Sequence, residues 1–184
     1  MNPRIATIDP TTATGPLAAK FAAVKAKLGL VPNLVRTFAQ APAVLDAYLG
    51  LSGSLAAGVL PAKVREQLAL TLGEANGCDY CLSAHSLGGK AAGLSPADVE
   101  AARRGTAADP KADALLRFAS AVLNQRGAVS DETVATVRAA GATDAEILEV
   151  VAHVALNVLT NFTNNVVQTT IDFPHAKPLA EAAA

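Results

Sequence analysis

The stretch Val64-Arg-Glu-Gln-Leu-Ala-Leu-Thr-Leu-Gly-Glu-Ala75, followed by Asn76-Gly77 and then by Cys78-Asp-Tyr-Cys-Leu-Ser-Ala-His85, decides the fold class. Val64, Leu68, Leu72 and Ala75 recur three or four residues apart, which is the spacing of one helical face. Asn76-Gly77 then breaks the helix, and Cys78 opens a second one. Two helices joined by so short a break fold back on each other as antiparallel neighbours.

The same grammar extends in both directions. Leu17, Phe21, Val24 and Leu28 follow a helical face upstream, while alternating strand patterns are scarce. Pro61 reads as a first-turn residue, Ser95-Pro96 and Asp109-Pro110 as N-cap plus proline, and Thr143 to Glu146 as a capping box. Gly93, Gly105 and Gly141 make helix stops. The predicted helices are 16–29, 43–57, 61–75, 78–92, 96–104, 110–126, 131–140 and 144–168. The expected fold is all-α, a compact single-domain helical bundle over 16–174, with an irregular N-terminal arm at 1–15 and a C-terminal tail at 175–184.

Composition limits the functions open to such a chain. With 184 residues, 51% apolar and 17% charged, it can build one ordinary core. A formal charge of -1, with both signs interspersed, gives no basic surface for a nucleic-acid partner. Residues 1–15 lack a basic start and an apolar run, so a cytoplasmic protein is expected. The apolar stretch 147–159 is interrupted by Glu149, His153 and Asn157, so no membrane span is expected. Aromatic residues make up 4%, so each helix buries modest area and association with further copies is plausible.

Chemistry concentrates at the helix break. Cys78, Cys81 and His85 form a C-x2-C-x3-H pattern that lies on one face within two turns, with the imidazole in reach of at least one sulfur. A free cysteine is only about 3% thiolate at pH 7, but a helix N-terminus and a neighbouring imidazolium raise that share. Such a pair can cycle: one thiolate attacks a peroxide, the other condenses with the sulfenic acid to a disulfide, and an external thiol restores both. Zinc could in principle use Cys78, Cys81, His85 and Glu66, but one regular helix face supplies tetrahedral geometry poorly. Neither a metal nor a cofactor is expected.

Glu66, eleven intervening residues, Cys78-Asp-Tyr-Cys81, three more and His85 resemble the E-x11-C-x2-C-x3-H signature of alkylhydroperoxidase D-like proteins, of the carboxymuconolactone decarboxylase-like superfamily. Val31-Pro-Asn-Leu, the stretch 147–162 and Ile171-Asp-Phe-Pro174 are similar to peroxidase-related members. The resemblance implies an all-helical oligomer in which Cys81 is the peroxidatic cysteine, Cys78 the resolving one, and His85 and Glu66 a proton relay. It implies a hydroperoxide substrate and a dithiol reductant of lipoyl or thioredoxin type. Tyr80 stands where the best-known peroxidase holds a histidine; it either lines the substrate pocket or packs its ring.

Two other functions fit less well: a lyase like the carboxymuconolactone decarboxylases, which generally lack the cysteine pair, and a non-enzymatic thiol redox sensor. Outside the constellation, Glu74 reads as a helix-flanking carboxylate and His175 as a solvated tail residue. Glu149, His153, Asn157, Asn161 and Asn165 form a polar stripe at i+4 spacing, either exposed or satisfying one another and backbone groups, or else facing a subunit or the pocket.

Overall fold

Helix α4, Ala62–Ala75, is buried at every position from Gln67 to Gly73, so its second half is wrapped on all sides. In the computed structural model, which describes residues 3–179, this helix is the hub of the fold. Around it run α1 (Gly15–Leu28), α2 (Asn33–Phe38), α3 (Pro42–Ala56), α5 (Asp79–Ala91), α6 (Pro96–Arg103), α7 (Pro110–Asn124), α8 (Asp131–Ala139) and α9 (Asp144–Val167). No strand occurs among the described residues, and the fold is all-α as expected. The positions 1–2 of the arm and 180–184 of the tail lie outside the described residues.

Helices α5, α6, α7 and α9 pack against α4 and close the main core around Leu68, Leu70 and Leu72, each fully buried, with Leu115, Leu116 and Val150 opposite. Burying a side chain of this kind is worth roughly 1.5–3 kcal/mol relative to leaving it exposed. The capping signals hold where they can be read: Ser95 with Asp98, and Thr143 with Glu146, form reciprocal capping boxes.

A second core forms where α1, α2 and α3 cover the start of α5. Phe21, Val24, Leu34, Val35, Phe38 and Leu45 pack there with Cys78, Tyr80 and Cys81. The thiols thus sit at the bottom of an apolar layer built by the N-terminal third. The arm is docked, not free: Ile8 N–H donates to the Arg36 carbonyl at 3.1 Å, and Arg36 Nε donates back to the Ile8 carbonyl at 3.0 Å.

Helix α2 is absent from the sequence prediction. It has six residues, too few for periodicity to register, and its cap is supplied from a distance. The Asn33 N–H donates to the Asp172 carboxylate at 2.7 Å and the Leu34 N–H to the Tyr80 hydroxyl at 3.2 Å. Those first-turn donors lack partners within their own helix, and only the folded chain brings oxygen atoms to them.

Helix α9 holds the apolar stretch in which no membrane span is expected. Its 24 residues include a window of mean hydropathy 1.3, so by length and composition it is long and apolar enough to cross a membrane. The histidine and asparagines that break the apolar run carry no charge to count against it. Its packing on α3, α4, α5 and α7, with Val150, Asn157, Asn161 and Asn164 buried, makes it a core helix of this fold.

Leu68 is fully enclosed, so Leu68→Ala should lower unfolding free energy by about 2–5 kcal/mol in a denaturant titration, through lost transfer energy and an unfilled cavity.

Candidate active site

The turn between α4 and α5 sets the position of the sulfurs. Gly77 has φ +59°, a left-handed conformation that favours glycine; the Cys78 N–H returns to the Gly73 carbonyl at 2.9 Å and the Gly77 N–H to the Glu74 carbonyl at 3.0 Å. This pair of bonds closes α4 and leaves Cys78 as the N-cap of α5, its sulfur accepting from the Cys81 N–H at 3.3 Å. Both cysteines are buried and unbridged.

Across the turn, Glu66 of α4 meets His85 of α5. The carboxylate Oε2 lies 2.8 Å from His85 Nδ1, with both side chains half-buried. Contact this close needs Gly88, because a Cβ there would come within 2.6 Å of the same Oε2. The carboxylate therefore engages the imidazole, not the sulfurs. No hydrogen bond joins His85 to either sulfur among the described residues; its influence on Cys81 acts through space.

The two thiols differ sharply. A hydrogen bond from Cys78 most strongly favours the Cys81 thiolate; burial opposes it, while the His85 charge and the amides of Asn164 and Asn161 add to it, bringing the Cys81 pKa down to about 7. Cys78 is pushed up by its bond to Cys81 and by burial, so the pair carries one negative charge, on Cys81. For His85, burial pulls the pKa down but the Glu66 carboxylate outweighs it, and the imidazole stays above its ordinary value. Both shifts favour a thiolate on Cys81 beside a charged His85.

Cys81, His85, Glu66 and Tyr80 share the wall of one cavity of about 470 Å³, closed mainly by Leu28, Leu30, Leu34, Val35, Leu87 and Phe173. Tyr80 packs its ring edge-on against Phe173 with centroids 5.6 Å apart, and it also borders the cavity. Burial raises its hydroxyl pKa, so it stays a neutral donor. Tyr48, unmarked by any sequence motif, also faces the cavity from α3.

The residue that the sequence reading missed is Asn164, whose Nδ2 donates to Cys81 Sγ at 3.3 Å. It falls between the i+4 steps of the polar stripe, three residues after Asn161 and seven after Asn157, the same face read at helical spacing. The stripe itself is largely internal: His153, Asn157 and Asn161 are buried, and Glu149 accepts from the Val59 and Leu60 N–H groups at 2.7 and 3.0 Å. Burial and the Arg65 charge lower the His153 pKa. Glu74 pairs with Arg103 at 2.6 Å, and His175 is exposed.

Residues 42–121, which span α3 to most of α7, match the carboxymuconolactone decarboxylase family. The chain resembles that family over this segment. No curated protein matches it closely enough in sequence to stand as a relative. Several solved structures share the fold. The alkylhydroperoxidase AhpD core of an uncharacterised peroxidase-related protein from Ralstonia eutropha JMP134 is 23% identical, with a TM-score of 0.85 over 94% of this chain and 93% of that one. An uncharacterised peroxidase-related protein from Silicibacter sp. TM1040 is 22% identical, with a TM-score of 0.78 over 92% and 94%. The debrominase Bmp8, in a cysteine-to-alanine variant bound to 2,3,4-tribromopyrrole, is 22% identical with a TM-score of 0.78 over 94% and 93%. The segment that matches the family contains Glu66, both cysteines and His85, whereas Asn164 lies beyond it.

Two predictions test this geometry. The rate of Cys81 alkylation by iodoacetamide should rise with pH through a midpoint near 7, since the thiolate forms above the pKa, compared with about 8.5 for a free cysteine. Gly88→Ala should push the Glu66 carboxylate off His85, cutting thiol-dependent turnover by up to about 10²-fold while the thermal midpoint of this helical position changes little.

Proposed function

We propose that this protein is a thiol-dependent peroxidase or disulfide reductase that works through a Cys78–Cys81 dithiol–disulfide cycle. The observation that carries the reading is the asymmetry of the pair: Cys81 is poised as thiolate in the cavity wall, and Cys78 is held protonated one helical turn away. Cys81 attacks the hydroperoxide and becomes a sulfenic acid, and Cys78 condenses with it to release water. The His85–Glu66 pair supplies the proton for the departing alkoxide. A lyase would have no need of such a pair of thiols.

The cavity lining favours organic hydroperoxides with an apolar group, and a dithiol of lipoyl or thioredoxin type completes the cycle. The protein works in the cytoplasm as a homo-oligomer. Support for assembly comes from the exposed apolar row Leu148, Val151, Phe162 and Val166 along α9, which a second copy would cover.

A second reading is favoured by the fold shared with a debrominase and by the apolar cavity: the same two thiols would reduce a halogenated arene, releasing halide and forming the disulfide. Peroxide consumption and bromide release, each measured with a dithiol reductant, separate the two.

Cys81→Ser should reduce peroxide turnover to background. Cys78→Ser should end multiple turnover but leave one equivalent of peroxide reduced, trapped as sulfenic acid on Cys81. Undiminished turnover in Cys81→Ser sinks the assignment.

A further inference from the structure

Helix α9 brings two buried amides to the reactive sulfur, and the thiol cycle described above leaves each with an idle atom. Asn164 is 3% exposed and donates from Nδ2 to Cys81 Sγ at 3.3 Å, while its Oδ1 is buried without a partner. Asn161 is fully buried; its Oδ1 accepts from Asn76 Nδ2 at 2.9 Å, and its Nδ2 has no partner. Asn76 is itself held from the other side, its carbonyl accepting from Asn165 Nδ2 at 2.8 Å. A buried polar atom without a partner is costly, and here two belong to side chains that act on the reactive sulfur.

We propose that Asn164 is a catalytic residue that holds the Cys81 sulfur with its amide N–H and receives the O–H of the incoming hydroperoxide on its carbonyl oxygen, while Asn161 and Asn76 are positioning residues. The proposal deepens the peroxidase reading and rests on it. Cys81 thiolate attacks the hydroxyl-bearing oxygen of R–O–O–H; the S–O bond forms, the O–O bond breaks, and its electron pair leaves on the alkoxide, which takes a proton from His85. Sulfur is oxidised by two electrons and the peroxide reduced by two. The O–H bonded to Asn164 Oδ1 remains on the oxygen that becomes the sulfenic hydroxyl, and Asn161 Nδ2, which favours the charged sulfur and has no hydrogen-bond partner of its own, is a donor for that new oxygen. Cys78 thiol then displaces it: the S–S bond forms, the S–O bond breaks, and hydroxide leaves as water with the Cys78 proton.

The amide thus does two separable things. Its N–H favours the charged sulfur, a contribution that any electrophile senses. Its carbonyl acts only on a substrate that carries an O–H, which iodoacetamide does not offer to the sulfur. Burial sharpens both effects because water does not compete for these atoms.

The test compares wild type with Asn164→Leu, similar in size and free of polar atoms, or with Asn164→Ser if the leucine variant does not fold. Cys81 alkylation by iodoacetamide is followed against pH, and Cys81 oxidation by cumene hydroperoxide at pH 9.5. The variant should show an alkylation midpoint about one unit higher, leaving it about fivefold slower at pH 7. At pH 9.5, where the thiol is ionised in both proteins, alkylation rates should converge while peroxide oxidation stays about tenfold slower. An unchanged alkylation midpoint overturns the hold on the sulfur, and convergence of both rates at pH 9.5 overturns the role of the carbonyl. A wild type that alkylates normally but ignores peroxide overturns the peroxidase reading instead, and the alkylation profile still decides whether Asn164 holds the sulfur.

Discussion

The reversal of the chain at Asn76-Gly77 is the constraint on which the rest of the structure depends. Its left-handed glycine and the two backbone bonds that close α4 make Cys78 the N-cap of the next helix and lay α5 back along α4. That placement lets Glu66 reach His85, lets Cys78 sulfur take up a first-turn N–H, and turns Cys81 toward α9. A residue with a Cβ at Gly77 would strain the one turn that all three contacts share.

Low polarity around the sulfurs gives these contacts their weight. An apolar layer from α1, α2 and α3 lies over the thiols, which by itself would keep both protonated. The structure offsets that tendency for one sulfur only, aiming the Cys78 thiol, an imidazolium and two amides at Cys81. Burial thus suppresses ionisation at Cys78 and makes each donor to Cys81 count for more than it would in water. The same apolar layer lines the cavity, so the groups that shelter the sulfur also select what reaches it.

Helix α9 shows how a core helix can be polar and still belong inside. Buried Asn161 and exposed Asn165 both engage Asn76 at the α4–α5 turn, buried Asn164 reaches the sulfur, and buried Asn157 donates to the His153 carbonyl of its own helix. Glu149 works at the other end, accepting both N–H groups of the segment that leads into α4, where Gly58 leaves room for its carboxylate. The polar stripe is satisfied largely by backbone groups: the Val59 and Leu60 N–H for Glu149, the His153 carbonyl for Asn157 and the Asn76 carbonyl for Asn165.

Helix periodicity, caps and breakers belong to local stretches of chain, so the all-α class and the start and end of eight helices to within about two residues could be read from the sequence alone. Cys78, Cys81 and His85 were legible for the same reason, as one helix face within two turns, whereas Glu66 was singled out by the resemblance to the alkylhydroperoxidase D-like signature. What only the tertiary structure decided depends on residues far apart in the chain. Helix α2 takes its caps from Tyr80 and Asp172, so no local pattern announces it. The Glu66–His85 bond relies on the bare Cα of Gly88, and Asn164 meets Cys81 across 83 residues of sequence. Spacing along one helix could show that these groups share a face, but only the packing of α9 against α5 determined which atom that face would meet.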